Sequence, residues 1–129
     1  MDYFNEKHKF DEKTCEVFTE IIQQDSLNIK VLYYIVQCQQ TGINVTVKSI
    51  ADNLKIRKRT AIKNQENKIV KFIDEEGLIE RKRAEKIVER LAYASLIYFD
   101  IQRPHKFIKL TRRGVQIVFN LKQMEAKKK

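Results

Sequence analysis

Residues 49–64 read SIADNLKIRKRTAIKN, and the fold turns on the conformation of the chain beyond Leu54. Upstream, Thr46 is placed to cap a short helix whose apolar side is Val47, Ile50, Ala51 and Leu54. Downstream come Arg57, Lys58 and Arg59, then Ile62, Ile69 and Ile73 with Ala61, Val70 and Phe72, and finally Gly77. Near-helical spacing of those apolar residues predicts a long second helix that begins near residue 57 and stops at Gly77. Ala51 is small enough for the two helices to approach closely, while Leu54 and Ile56 anchor the turn from inside. Arg57, Lys58, Arg59, Thr60, Lys63, Asn64 and Asn67 are then left on the leading end and outer face of the second helix.

Working outward, Asp11 can cap a first helix (about 11–24) carrying Cys15, Phe18 and Ile22 at helical spacing. Ser26 can cap a second, with Ile29, Leu32, Tyr33 and Val36 in one stripe and Gly42 as its stop. LIERKR (78–83) alternates apolar and charged residues like a strand, and KFIKL (106–110) reads as another. Between them, Ile87, Leu91, Ala94 and Tyr98 fit a helix, whereas SLIYFDI fits a strand paired with KFIKL across Gln102–His105. The favoured reading is a short helix near 85–94 followed by a hairpin. Thr111 caps a last helix (about 111–126) marked by Val115, Val118, Phe119 and Leu121. The fold class is mainly α with a small β-hairpin (α+β), in one domain spanning 1–129.

Net charge is +9, and it is segregated. Residues 1–28 carry seven acids against three bases, 46–73 eight bases against two acids, and 106–129 eight bases against one acid. Separation of this kind is the footprint expected of a polyanion-binding surface. The opening MDYFNEKHKFDEK has no apolar leader, and Cys15 and Cys38 lack paired spacing. A reduced, cytoplasmic setting is the expectation. VLYYIV (31–36) and LAYASLIYF (91–99) fall well short of the roughly 20 residues of a membrane span. Cys15, Cys38, His8 and His105 are the whole supply of soft metal ligands, and no nucleophile–base set or glycine-rich phosphate loop is present. Neither a metal, a cofactor nor an enzymatic activity is expected.

In this order the pieces resemble a winged helix-turn-helix protein of the MarR-like type, over residues 29–121. IKVLYYIVQCQQTGINVTVKSIADNLKI is similar to that family's first helices, RTAIKN to the start of its recognition helix, EEGLIERKR to the exit into the first wing strand, and KLTRRGVQIV to the L-T-x-x-G segment after the wing. The stretch from Leu54 to Gly77 is longer than the family's, so the recognition helix is expected to be about a turn longer. Small partition proteins of the TubR type share the fold. The resemblance implies a homodimer, joined through its first and last helices, that binds double-stranded DNA. Carried over, Thr46 and Lys48 touch phosphate, Arg57, Lys58 and Arg59 reach either phosphates or guanine edges, and Thr60, Lys63, Asn64 and Asn67 read bases. Arg81, Lys82, Arg83, Arg103, His105 and Lys106 place charge at the wing. Three readings stay open: a transcriptional regulator, a plasmid or phage partition or transfer-accessory protein on a repeated site, and a winged-helix module that binds protein through LAYASLIYF.

Overall fold

At all but one of the described helices a short polar side chain accepts from an N–H group of the first turn. The computed structural model describes residues 9–127, so His8 and the last two lysines lie outside the described residues. Asp11 accepts from the Thr14 N–H at 2.7 Å and starts α1 (Glu12–Gln23). Helix α2 (Ser26–Gln40) is capped by Asp25, not by Ser26. The Asp25 backbone is extended and its carboxylate accepts from the Leu27 N–H at 3.0 Å, which makes Ser26 the first helical residue. Beyond α2, Gly42 takes φ +74° while its N–H donates to the Gln39 carbonyl and that of Ile43 donates to Cys38, a left-handed stop that glycine adopts without strain. Thr46 and Ser49 close a reciprocal capping box at the start of α3 (Val47–Asn53). Thr46→Ala should cost about 1 kcal/mol, read as a lower urea midpoint at unchanged slope.

The chain from Leu54 to Ile79 departs from the expected helix. Residues 57–77 form no helix. Strand β1 (Lys55–Lys63) pairs antiparallel with β2 (Ile69–Leu78) as a two-stranded ribbon. Asn64–Asn67 makes the turn. The Asn64 side-chain oxygen accepts from the N–H groups of Glu66 and Lys68 at 2.9 and 3.1 Å, and Asn67 takes φ +63°, which asparagine tolerates. Ile56, Thr60, Ile62, Ile69, Val70 and Ile73 are β-branched and favour extended backbone. A helix beginning at Arg57 would also set three cations on its positive end. Ile69, Val70, Phe72 and Ile73, expected in the core, are therefore exposed, and Gly77 lies within β2 opposite Ile56. Only the neck of the ribbon is anchored: Ile56 is buried, and the Ile79 N–H donates to the Leu54 carbonyl at 3.2 Å.

LIERKR is likewise not a strand beyond Leu78. Ile79 is buried, Glu80 stands at the cap position without a side-chain capping bond, and α4 (Arg81–Tyr93) starts four residues before the expected helix. Ala84, Ile87, Val88 and Leu91 bury one stripe at helical period, and the flanking Arg, Lys and Glu residues are good helix formers. Helix α4 ends in a second left-handed stop at Ser95, φ +63°. The expected hairpin comes next: β3 (Ile97–Gln102) pairs antiparallel with β4 (His105–Leu110), from Ile97 opposite Leu110 to Gln102 opposite His105. Val45 bridges to β4 through the Ile108 N–H at 2.7 Å. Thr111 accepts from the Gly114 N–H at 3.0 Å and starts α5 (Arg112–Lys127).

Among the described residues, five helices and two antiparallel hairpins make this an α+β fold. One core joins Val31, Leu32 and Ile35 of α2, Ile50 of α3, Ile87 and Leu91 of α4, Ile108 of β4, and Ile117 and Leu121 of α5. Helices α1 and α5 are clasped by paired bonds between Phe10 and Gln116, at 2.9 and 3.0 Å, and by Asn120 against the Cys15 sulfur at 3.2 Å. No helix among the described residues is long and apolar enough to cross a membrane.

Candidate nucleic-acid interface

Burial of Ala84, Ile87, Val88 and Leu91 fixes the rotation of α4. At 100° per residue, the opposite face carries Lys82, Lys86, Glu89 and Tyr93, with Arg83 and Arg90 along one border and Arg81 and Glu85 along the other. All eight are exposed or nearly so, Tyr93 at 89%. Arg81 is held by Glu85 at 3.6 Å and Arg90 by Asp25 at 3.6 Å. No ion pair among the described residues involves Lys82, Arg83 or Lys86. These three project from the first turns of a helix whose leading N–H groups already favour an anion.

Helix α3 packs against α4 and presents its own start nearby in sequence to the bridge with β4. Thr46 comes directly after the Val45–Ile108 bridge and spends its side-chain oxygen on the Ser49 N–H, so its first task is to hold α3. Lys48 lies in the first turn of that helix and is exposed. Tyr34 ties α2 to α3 by donating to the Ser49 carbonyl at 3.3 Å. The β3–β4 hairpin carries Arg103, His105 and Lys106 at its exposed tip. There His105 stacks on Phe107 at 5.4 Å and Lys106 lies 6.0 Å from the Phe99 ring centroid.

The seven candidates between Arg57 and Asn67 are on the ribbon rather than on a helix. Acids stand across the ladder from the basic triplet, because directly opposed residues share a face of an antiparallel pair, although no ion pair among the described residues involves Arg57, Lys58, Arg59 or Lys63. Arg57 stands opposite Glu76, Lys58 opposite Glu75 and Arg59 opposite Asp74. The Arg59 guanidinium also lies over the Phe72 ring at 4.2 Å, and Thr60 donates to Glu75 at 2.9 Å. Asn64 and Asn67 build the turn. Arg81, Lys82 and Arg83, expected on a wing strand, are the first turn of α4 instead.

No family model, curated protein or solved structure matches the chain.

Lys86, Arg90 and Tyr93 were missed by sequence reasoning, although Ala84, Ile87, Val88 and Leu91 in RKRAEKIVERLAY carry a clear helical period that would have placed them on the outer face. The LAYASLIYF stretch turns mostly inward: Leu91, Leu96 and Ile97 are buried, leaving Tyr93 and Phe99 outside. Among the described residues no three His, Cys, Asp or Glu side chains are grouped to hold a metal ion. Burial pushes the Cys15 thiol up from its ordinary value, which keeps it protonated.

Proposed function

We propose that the chain is a winged helix-turn-helix protein that binds double-stranded DNA as a homodimer, with α4 as the helix that enters the major groove. The observation that carries this reading is the outward face of α4, where Lys82, Arg83 and Lys86 stand together on a helix backed by α3. Lysine and arginine there displace counterions from phosphate and can reach guanine edges. The β3–β4 hairpin is the wing, with Val45 supplying a one-residue third strand. Arg103 and Lys106 at its tip are suited to phosphate or the minor groove, and Lys48 to phosphate beside α3. Val17 and Ile21 on α1 and Val115 and Phe119 on α5 are exposed apolar residues that suit a two-fold contact, and Phe119 also borders a groove of about 600 Å³ whose other walls include Glu16, Glu20 and Asn120.

Regulation of transcription is the role this geometry fits best. Anisotropy titrations of the full chain against neighbouring intergenic duplexes and a random duplex, at stepped salt, test it. The logarithm of the affinity should fall linearly with that of salt, with a slope of about −3 or steeper. Absence of binding at low salt sinks the reading. A footprint then sorts the two DNA roles: one palindrome with half-sites about 34 Å apart marks a regulator. A long protected array marks a partition or accessory protein, a second reading favoured by the open edges of the β1–β2 ribbon.

A further inference from the structure

Beyond the buried Ile56, the ribbon belongs neither to the core nor to the α4 face. It extends from Lys55 to Leu78, and every residue of β2 except Gly77 is exposed. A two-stranded ribbon is marginal by itself. Among the described residues its sheet contains β1 and β2 alone, so each strand has an outer edge that no described strand covers. Natural edges are usually blunted by proline, bulges or inward charge. The far half of β2 has one irregularity, where the ladder skips Val70 between the Ile62–Lys71 and Lys63–Ile69 pairs, and it exposes Ile69, Val70, Phe72 and Ile73, Val70 at 60% and Phe72 at 50%.

The charge pattern decides which edge can meet a copy of itself. Strand β1 carries Lys55, Arg57, Lys58, Arg59 and Lys63 and no acid, so two β1 edges repel. Strand β2 has polarity: Lys71 lies near its start with Lys68 just before it, Asp74, Glu75 and Glu76 lie toward its end, and Phe72 and Ile73 between. Antiparallel pairing of two β2 strands reverses one copy, so the basic end of each meets the acidic end of the other.

Backbone geometry agrees with this polarity. The Ile79 N–H bond to Leu54 sets the alternation along the ladder. Phe72, Asp74 and Glu76 therefore turn their N–H and C=O groups toward the open edge. A two-fold axis at Ile73 lets Phe72 exchange backbone bonds with Asp74 of the second copy. The same axis places Ile73 against Ile73 and Lys71 directly opposite Glu75, twice. We infer that the ribbon is a self-association element, in which the β2 edges of two copies pair antiparallel about Ile73 into a four-stranded sheet. A nucleic-acid partner fits this element less well, because each cation of the RKR triplet has an acid beside it on the same face.

The test uses the full chain without DNA, so its failure leaves the α4 reading untouched. Lys71→Glu gives two facing acids at each contact. Lys58→Glu with Glu75→Lys gives two facing lysines, yet keeps opposite charges at the 58–75 rung within the ribbon. By analytical ultracentrifugation, each variant alone should associate about tenfold more weakly than wild type, and an equimolar mixture should regain wild-type association. Association through α1 and α5 would be the same in all three samples. Under mild oxidation Ile73→Cys should cross-link copy to copy, and Tyr93→Cys should not. Equal association of the variants and the mixture, weakening that mixing does not reverse, or equal cross-linking at residues 73 and 93, would overturn the proposal.

Discussion

Replacing Gly114 with alanine should destabilise the fold by about 2–3 kcal/mol, seen as a fall of roughly 10 °C in the thermal midpoint. In an open helix the same change would stabilise by about 1 kcal/mol, so the sign itself is diagnostic. A Cβ at Gly114 would lie 2.1 Å from the Leu96 carbonyl oxygen and 3.1 Å from its carbon. That backbone has little freedom to yield. The Leu96 carbonyl accepts from the Thr111 N–H at 3.0 Å, the Thr111 hydroxyl donates to the Ser95 carbonyl at 2.6 Å, and Leu96 itself is fully buried. The start of α5 is thereby clamped to the end of α4. Gly42 provides the contrast: nothing lies within 4 Å of its Cβ position, and its φ of +74° is the only obstacle. Gly42→Ala should cost about 1 kcal/mol. A Gly114→Ala variant as stable as wild type would mean that α5 does not approach Leu96 this closely.

Two paired substitutions that remove the same net charge should behave differently toward duplex DNA. Lys82→Ala with Lys86→Ala takes two cations from the outer face of α4. It should reduce the salt slope by about 2 for each bound protomer, about 4 for the dimer, and weaken binding at moderate salt by roughly 100-fold or more. Arg57→Ala with Arg59→Ala takes two cations from the ribbon, where Glu76 and Asp74 stand opposite them. It should change the affinity by less than about threefold, since the lost charge is already balanced locally. Because both variants lower the net charge equally, long-range attraction cancels in the comparison. All four side chains are exposed, so neither variant should shift the unfolding midpoint much. A larger loss from the ribbon pair than from the α4 pair would move the interface to the ribbon.

Much of the fold was legible because its signals are local. Asp11, Thr46 and Thr111 cap the helices they were expected to cap, and the hairpin across Gln102–His105 lies where SLIYFDI and KFIKL placed it. The ribbon was not legible from apolar spacing alone. Ile62, Ile69 and Ile73 recur seven and four residues apart, as on one helix face, but they occupy two strands and are not in the core. The deciding signals were the asparagines at both ends of the turn, the β-branched run and the missing cap before Arg57. That misreading carried the candidate site with it. Of the two basic triplets, RKR at 57–59 drew attention because it comes after α3, as a recognition helix would. The chain makes an excursion first and begins its next helix at the second triplet, 81–83. Alternation in LIERKR then disguised that helix as a strand.

The neck of the ribbon has a consequence for how such a chain can change over time. The excursion leaves and returns at the hydrogen-bonded pair of Leu54 and Ile79, so from the standpoint of α3 and α4 it spans no distance at all. Rungs beyond the buried Ile56 can be added or removed without altering the seat of α4. The length and tip of the ribbon are therefore open to variation while the two packed helices stay under constraint. Under the proposed pairing of β2 edges, a lineage could revise how copies meet without touching the outer face of α4.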